Sequence, residues 1–215
     1  MESETRTLPI EEFWNSEFAE HVTVAEQTAH LLKKDFAALL DACIRSIQEG
    51  GKVMFFGNGG SAADSQHLAT ELTARYKTDR KAIAAIALTT DTSALTAIGN
   101  DFGFEDLFSR QIEALGRAGD VAIGISTSGN SANVLKALKL AREEGIVTVG
   151  FTGGTGGKMA DVCDIVLKVP SPTTARIQEM HITLGQMLCG ALEQALGLTA
   201  AEHTMPCFQD MRKTA

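Results

Sequence analysis

Residues 52–71 read KVMFFGNGGSAADSQHLATE, and this stretch decides the fold. Lys52–Phe56 is a short apolar run between glycines, the pattern of a buried parallel strand. A glycine-rich turn follows over Gly57–Ser61, and Ala62–Tyr76 then carries the three- and four-residue apolar spacing of a helix. Strand, tight turn and helix in that order form half of a βα unit. The turn places Asn58, Gly59, Gly60 and Ser61 where backbone N–H groups at a helix start can face an anion. No GK[ST] closes it, and it lacks the glycine spacing of a dinucleotide fingerprint, so ATP and NAD are disfavoured.

Working outward, the same plan recurs at GISTSGNSANV, residues 124–134. The strand Val121–Ser126 runs into the loop Thr127–Ser131 and the helix Ala132–Glu144. Ser126, Thr127, Ser128 and Ser131 crowd hydroxyls around Gly129. Hydroxyls and backbone amides can hold a phosphate dianion without lysine, and neither loop contains one. Ordinary N-capping by Ser61 and Ser131 is the alternative reading. Two such loops at the carboxyl ends of strands in one sheet favour a ligand, because open α/β sheets bind ligands along that edge.

The remaining chain fits the same architecture. Residues 10–49 repeat apolar positions at helical spacing, as two helices or one broken helix. Further segments read as a strand at Ala82–Leu88, helices at Thr92–Ile98 and Asp106–Ala114, and strands at Val147–Thr152 and Ile165–Val169. Repeated βα units imply an α/β fold with a central parallel sheet covered by helices on both faces. The last long element, Ala175–Leu196, is apolar around much of its circumference, as expected of a helix buried in the domain or shared with another subunit.

Composition narrows the function. The 215 residues include 27 acidic and 19 basic side chains for a net charge of −8, with 44% apolar and 21% charged. This is the balance of a soluble globular domain without the dense basic face that nucleic-acid binding needs. No apolar run reaches the length of a membrane span. Cys43, Cys163, Cys189 and Cys207 show no CxxC spacing and the N-terminus is acidic, so reduced thiols and a cytoplasmic location are expected. Cys163 and Cys189, in apolar surroundings, read as core residues, and His203 and Cys207 have no evident partner.

On the helix after the first loop, Asp64, His67 and Glu71 share one face at spacings of three and four. His67 with Glu71 is a two-ligand metal pattern, and Glu71 could act as a general base beside a phosphate cradle. A surface His–Glu pair is the structural alternative. In the final helix Gln178, Glu179, His181 and Gln186 interrupt an apolar stretch. Gln178 and Gln186 lie about 80° apart around the axis and could approach one target. An amide network across a subunit interface is the other reading.

GNGGSAADSQHLATEL, AIGNDFGFEDLFSRQ, GDVAIGISTSGNSANV and ARIQEMH occur in this order, and on these four motifs the chain from about residue 15 to 197 resembles the sugar isomerase (SIS) domain family, within it the phosphoheptose isomerases. The resemblance implies a three-layer αβα sandwich with N-terminal helices and a long C-terminal helix. It divides the chain into a helical arm over 1–50 that packs in the oligomer, an SIS domain over 51–197 and a tail over 198–215. It implies interconversion of sedoheptulose 7-phosphate and D-glycero-D-manno-heptose 7-phosphate through an enediol(ate), the first step toward nucleotide-activated heptose for lipopolysaccharide or another glycan. The phosphosugar would be contacted by Asn58, Gly59, Gly60, Ser61, Glu71, Asn100, Asp101, Ser126, Thr127, Ser128, Ser131 and Gln178.

The resemblance further implies a homotetramer, with no nucleic-acid or membrane partner. It implies one divalent ion per site, usually zinc, on His67, Glu71, Gln178 and the residue at position 186. In that family this fourth ligand is a histidine that doubles as the second acid–base group. Here it is Gln186, which can ligate through its amide oxygen but carries no proton at neutral pH. His181, about 60° around the helix from Gln178 on the side opposite Gln186, or water would then take that role, or catalysis would be slower or absent. A non-enzymatic SIS tetramer of the DnaA initiator-associating type is the alternative, and the intact Glu71 and GNGGS loop weigh against it.

Overall fold

The structure is a computed structural model that describes residues 8–199. Two helices open it, α1 over Ile10–Leu31 and α2 over Lys33–Gln48, broken at Leu32. Strand β1 (Val53–Gly57) leads into α3 (Gly60–Thr73), then β2 (Ala85–Ala87) and α4 (Thr92–Asp101). A 3-10 turn at Phe104–Asp106 precedes α5 (Ser109–Leu115), β3 (Val121–Ile125) and α6 (Ala132–Glu143). The chain continues with β4 (Val147–Gly153), α7 (Met159–Val162), β5 (Ile165–Val169) and α8 (Thr174–Ala195).

All strand pairings are parallel, in the order β2-β1-β3-β4-β5. From β1 the chain steps outward to β2 and then returns to β3 on the opposite side of β1. The strand order therefore reverses between β1 and β3, and ligands of open α/β sheets bind outside the carboxyl ends at such a point. Both loops singled out in the sequence begin there: β1 ends at Gly57, opposite Ile125 at the end of β3.

Strand alternation splits the core into two layers. Val53, Phe55, Ile123, Ile125 and Phe151 face a cluster with Leu39 and Cys43 of α2, Leu68 and Leu72 of α3, and Leu184 and Leu188 of α8. Met54, Phe56 and Ala122 face Ile112 of α5 and Val134 and Leu138 of α6. The result is the expected three-layer αβα sandwich with a long C-terminal helix. Within the first 50 residues α2 is part of this chain's own core, whereas α1 leaves Ile10, Phe13, Trp14, Phe18 and Val22 exposed.

Several element boundaries differ from the sequence expectation. Helix α3 starts at Gly60, two residues before Ala62, because Gly59 at φ +57° turns the chain into it. It stops at Thr73 because Arg80 folds back to donate to the carbonyls of Glu71 and Leu72, both at 2.7 Å. The strand expected over 82–88 contracts to Ala85–Ala87, since the Ile83 N–H bonds the end of α3 instead. The helix expected over 92–98 extends to Asp101, that expected over 106–114 begins only at Ser109, and α7 was not anticipated. Cys43 and Cys189 are buried and Cys163 is partly buried, and burial pushes all three thiols up to about 12, so none is a ready metal ligand. His203 and Cys207 lie outside the described residues.

Candidate active site

Helices α3 and α8 pack side by side in parallel register. A Cβ at Gly60 would lie 2.8 Å from Gln178 Nε2, one at Gly185 2.4 Å from Leu68, and one at Gly190 2.9 Å from Tyr76. Glycines on α8 let the two backbones approach closely enough for polar side chains from both to meet. Gln178 therefore sits over the first turn of α3, at the glycine loop, and Gln186 sits two turns further on. Their backbone positions lie about 12 Å apart along the axis, and in this structure the two side chains meet different turns of α3.

At the second position three functional groups converge. His67 Nε2 lies 2.9 Å from Glu71 Oε1 and 3.0 Å from the Gln186 side-chain nitrogen. One ring nitrogen cannot donate to the carboxylate and also accept from the amide. With the Gln186 amide turned to present its oxygen, three lone-pair atoms face one another. Tetrahedral zinc with ligand bonds near 2.0 Å separates its ligand atoms by about 3.3 Å, close to both distances. The donor set thus fits a divalent ion, with one imidazole and one carboxylate as its strong ligands. Among the described residues no group of three His, Cys, Asp or Glu side chains is placed to hold a metal, so such an ion would depend on amide oxygen as well.

The His67 side chain is half exposed and that of Glu71 is 20% exposed. Glu71 Oε2 makes no hydrogen bond among the described residues, so Glu71 has one oxygen engaged and one free. The Glu71 backbone is fixed by Arg80, whose guanidinium also pairs with Glu193 Oε1 at 2.8 Å, both side chains 1% exposed. Glu193 in turn accepts the Tyr76 N–H at 3.0 Å. This buried clamp ties the carboxyl end of α3 to α8. Asp64, on the same α3 face, is half-buried, and burial raises its carboxyl while the nearby His67 opposes the shift.

The candidate anion-binding end is built from the two loops. Ser126 Oγ and Ser131 Oγ lie 2.9 Å apart. Ser131 is the N-cap residue of α6 but makes no side-chain cap bond, and Ser61 lies inside α3, so neither serves as the simple cap that the sequence allowed. The N–H groups of Ala132 and Asn133 precede the first intrahelical bond, Leu135 to Ser131, and remain available to an anion. Gly129, at φ +66°, passes so close to Gly156 that a Cβ would stand 2.0 Å from its carbonyl oxygen. The Ser128 hydroxyl instead accepts the Asn130 N–H at 3.2 Å.

Asn58 is not free. Its amide and that of Asn133 exchange two hydrogen bonds, each 2.9 Å, and Asn133 also accepts the Val134 N–H. This reciprocal pair crosses from the first loop to the second and sets their separation. Sequence reading missed Asn133, although an amide two residues after a helix-start serine was a visible signal. Asn100 and Asp101 lie exposed at the end of α4 and bond to one another at 2.7 Å. Gly59 and Gly60 are exposed at the mouth, and Thr127 gives its carbonyl to the Gly153 N–H at 3.1 Å.

His181 does not join the cluster. It is fully buried, its ring packs on Phe151 at 5.8 Å between centroids, and its Nε2 lies 3.1 Å from the Thr152 carbonyl oxygen. A carbonyl only accepts, so Nε2 carries the proton. Burial pushes the imidazole down to about 4, against a smaller opposing effect of that hydrogen bond. His181 is therefore no acid–base partner for Glu71. The unfolded chain takes up a proton on this imidazole below about pH 6.5 and the folded one only near pH 4. Its contribution is full above pH 6.5 and is lost as pH falls, by about 2 kcal/mol at pH 5. Urea unfolding at pH 7 and pH 5 should show wild type losing that much more than His181→Gln; equal losses would contradict the assignment.

Comparisons with known proteins identify the family and the fold. Residues 17–153 match the family model described as SIS domain. The chain is 58% identical over 181 residues to the phosphoheptose isomerase of Paramagnetospirillum magneticum, covering 84% of this chain and 94% of that one. Among solved structures, the phosphoheptose isomerase of Neisseria gonorrhoeae superposes with a TM-score of 0.82 at 46% identity, covering 86% of this chain and 99% of that one. A phosphoheptose isomerase from Francisella tularensis gives 0.84 at 35% identity, covering 87% and 100%. Among the described residues no helix is long and apolar enough to cross a membrane.

Proposed function

The chain belongs to the phosphoheptose isomerases of the SIS domain family, and from that premise we propose that it interconverts sedoheptulose 7-phosphate and D-glycero-D-manno-heptose 7-phosphate. The observation that carries this reading is one carboxylate with a free oxygen, beside an imidazole, on the helix that leaves a glycine-rich loop at the switch point. Relatives named as isomerases favour it over the DnaA initiator-associating alternative.

Moving a proton between C1 and C2 requires a base over that edge, a charge stabiliser at O1 and O2, and a handle at the far phosphate. Ser126, Thr127, Ser128 and Ser131, with the first amides of α6, grip the phosphate. Asn58, held by Asn133, fixes the distance between the two loops, and Gln178 reaches the sugar over Gly59, Gly60 and Ser61. Glu71 Oε2 takes the proton from one carbon and returns it to the other through an enediol(ate). A divalent ion, zinc by family resemblance, would be held by His67, Glu71 Oε1 and Gln186, would take Gln178 as fourth donor only once that side chain swings from Gly60 toward His67, and would supply positive charge at the carbonyl. Glu71 can thus serve as ligand and base with a different oxygen for each. Gln186 orients without carrying a proton, and water entering past the half-exposed His67 supplies the proton to oxygen.

This site is open in a single chain, whereas small-molecule sites bury most of their ligand. We place Asn100, Asp101 and the closing wall at contacts between copies of the chain in a homotetramer. The exposed stripe Ile10, Phe13, Trp14, Phe18 and Val22 on α1 supports this, since contiguous exposed apolar faces mark interaction surfaces. Light scattering should give a tetramer for wild type and a smaller species for a Trp14→Glu, Phe18→Glu double variant; an unchanged mass would place the interface elsewhere. The reaction belongs in the cytoplasm, at the entry to nucleotide-activated heptose for lipopolysaccharide or another glycan. Incubation with sedoheptulose 7-phosphate and zinc should yield the aldose by anion-exchange chromatography, with fructose 6-phosphate turned over far less. No aldose with any divalent metal would overturn the proposal.

A further inference from the structure

We propose that His181 is a positioning residue for the phosphate end of the site, holding from α8 the strand end on which the 126–131 loop is built. The inference rests on the phosphate reading of that loop. His181 Nε2–H donates to the carbonyl of Thr152, one residue before the end of β4. The next residue, Gly153, donates its N–H to the Thr127 carbonyl at 3.1 Å, and the Ser126 N–H bonds Phe151 O at 2.9 Å. Thr152 itself packs under the loop: a Cβ on Gly129 would lie 2.8 Å from its hydroxyl. Phe151, Thr152 and Gly153 therefore carry Ser126, Thr127 and Gly129, and His181 pins the middle of this triplet.

The chemistry at this position is specific. The ring is 0% exposed, and His181 Nδ1 and Thr152 Oγ1 are both buried without a hydrogen-bond partner. A histidine with only one of its nitrogens bonded is a costly choice where an apolar side chain would fill the space. What the imidazole supplies that a leucine would not is the single donor to Thr152. That donor comes from the helix bearing Gln178 and Gln186, so one rigid element references both the phosphate loop and the proton-transfer end of the site. Proper spacing between these ends is what positions C1 and C2 over Glu71.

The test uses the full-length protein. His181→Phe keeps the ring and removes the donor, and His181→Gln restores an N–H at the Nε2 position. His181→Asn, whose amide reaches only the Nδ1 position, serves if the Phe variant does not fold. The KM for sedoheptulose 7-phosphate, kcat, and the inhibition constant of inorganic phosphate are measured for each. We expect His181→Phe, or His181→Asn in its place, to raise KM and the phosphate inhibition constant together by about tenfold, the factor that 1.4 kcal/mol represents. kcat should stay within about threefold, and His181→Gln should recover wild-type values. Unchanged phosphate inhibition in the donor-lacking variant, or a fall in kcat at constant KM, would overturn the positioning role. Wild type that binds neither the sugar phosphate nor inorganic phosphate would overturn the phosphate reading of the loop, and the proposal with it.

Discussion

Glu71→Gln should lower kcat for sedoheptulose 7-phosphate by about 10² to 10⁴, the range that a positioned general base contributes. The amide is isosteric and keeps an oxygen for His67, so packing of α3 is preserved. What disappears is the only function that needs Oε2 to accept and return a proton. KM should move little, because in the proposed mechanism the phosphate is gripped by the 126–131 loop between β3 and α6, apart from α3. A variant with wild-type kcat would exclude Glu71 as the base. A variant that loses activity only through a raised KM would reassign it to substrate binding.

The second large effect concerns stability. Arg80 and Glu193 form an ion pair with both side chains 1% exposed, and removing one member of a buried pair strands the other charge at a cost of about 3–5 kcal/mol. Arg80→Met should therefore lower the Tm by roughly 6 to 20 °C for a domain of this size. The loss also frees the carbonyls of Glu71 and Leu72 from the guanidinium. Arg80→Lys should rescue little, since an ammonium cannot span the carboxylate and two carbonyls as the planar fork does. An unfolding free energy within 1 kcal/mol of wild type for Arg80→Met would show that the clamp is dispensable.

Much of the architecture was legible because it rests on local patterns. Short apolar runs marked β1, β3, β4 and β5, the first of them bounded by glycine on both sides, and the two glycine and serine loops pointed to the sheet edge where ligands bind. His67 and Glu71 were legible through their spacing on one helix face. Other features depend on residues far apart in sequence. Glu193 meets Arg80, and Asn58 meets Asn133, across separations that leave no periodic signal. The parallel register of α3 and α8 sets Gln178 against the first turn of α3 and Gln186 against His67, a placement along the axis that helical angle alone does not give. Likewise the position of His181 around its helix left its reach open, and only burial against Phe151 and Thr152 removes it from the proton-transfer chemistry.

In the proposed mechanism Glu71 transfers a proton between neighbouring sugar carbons without a second imidazole. Proton NMR of sedoheptulose 7-phosphate in D₂O with the zinc-loaded protein tests it most directly, beside Glu71→Gln. Deuterium should enter the sugar next to the carbonyl and aldose signals should rise, both effects being lost in the variant. Absence of deuterium and of aldose with the wild-type protein would contradict this mechanism, leaving a site that binds a phosphosugar without turning it over.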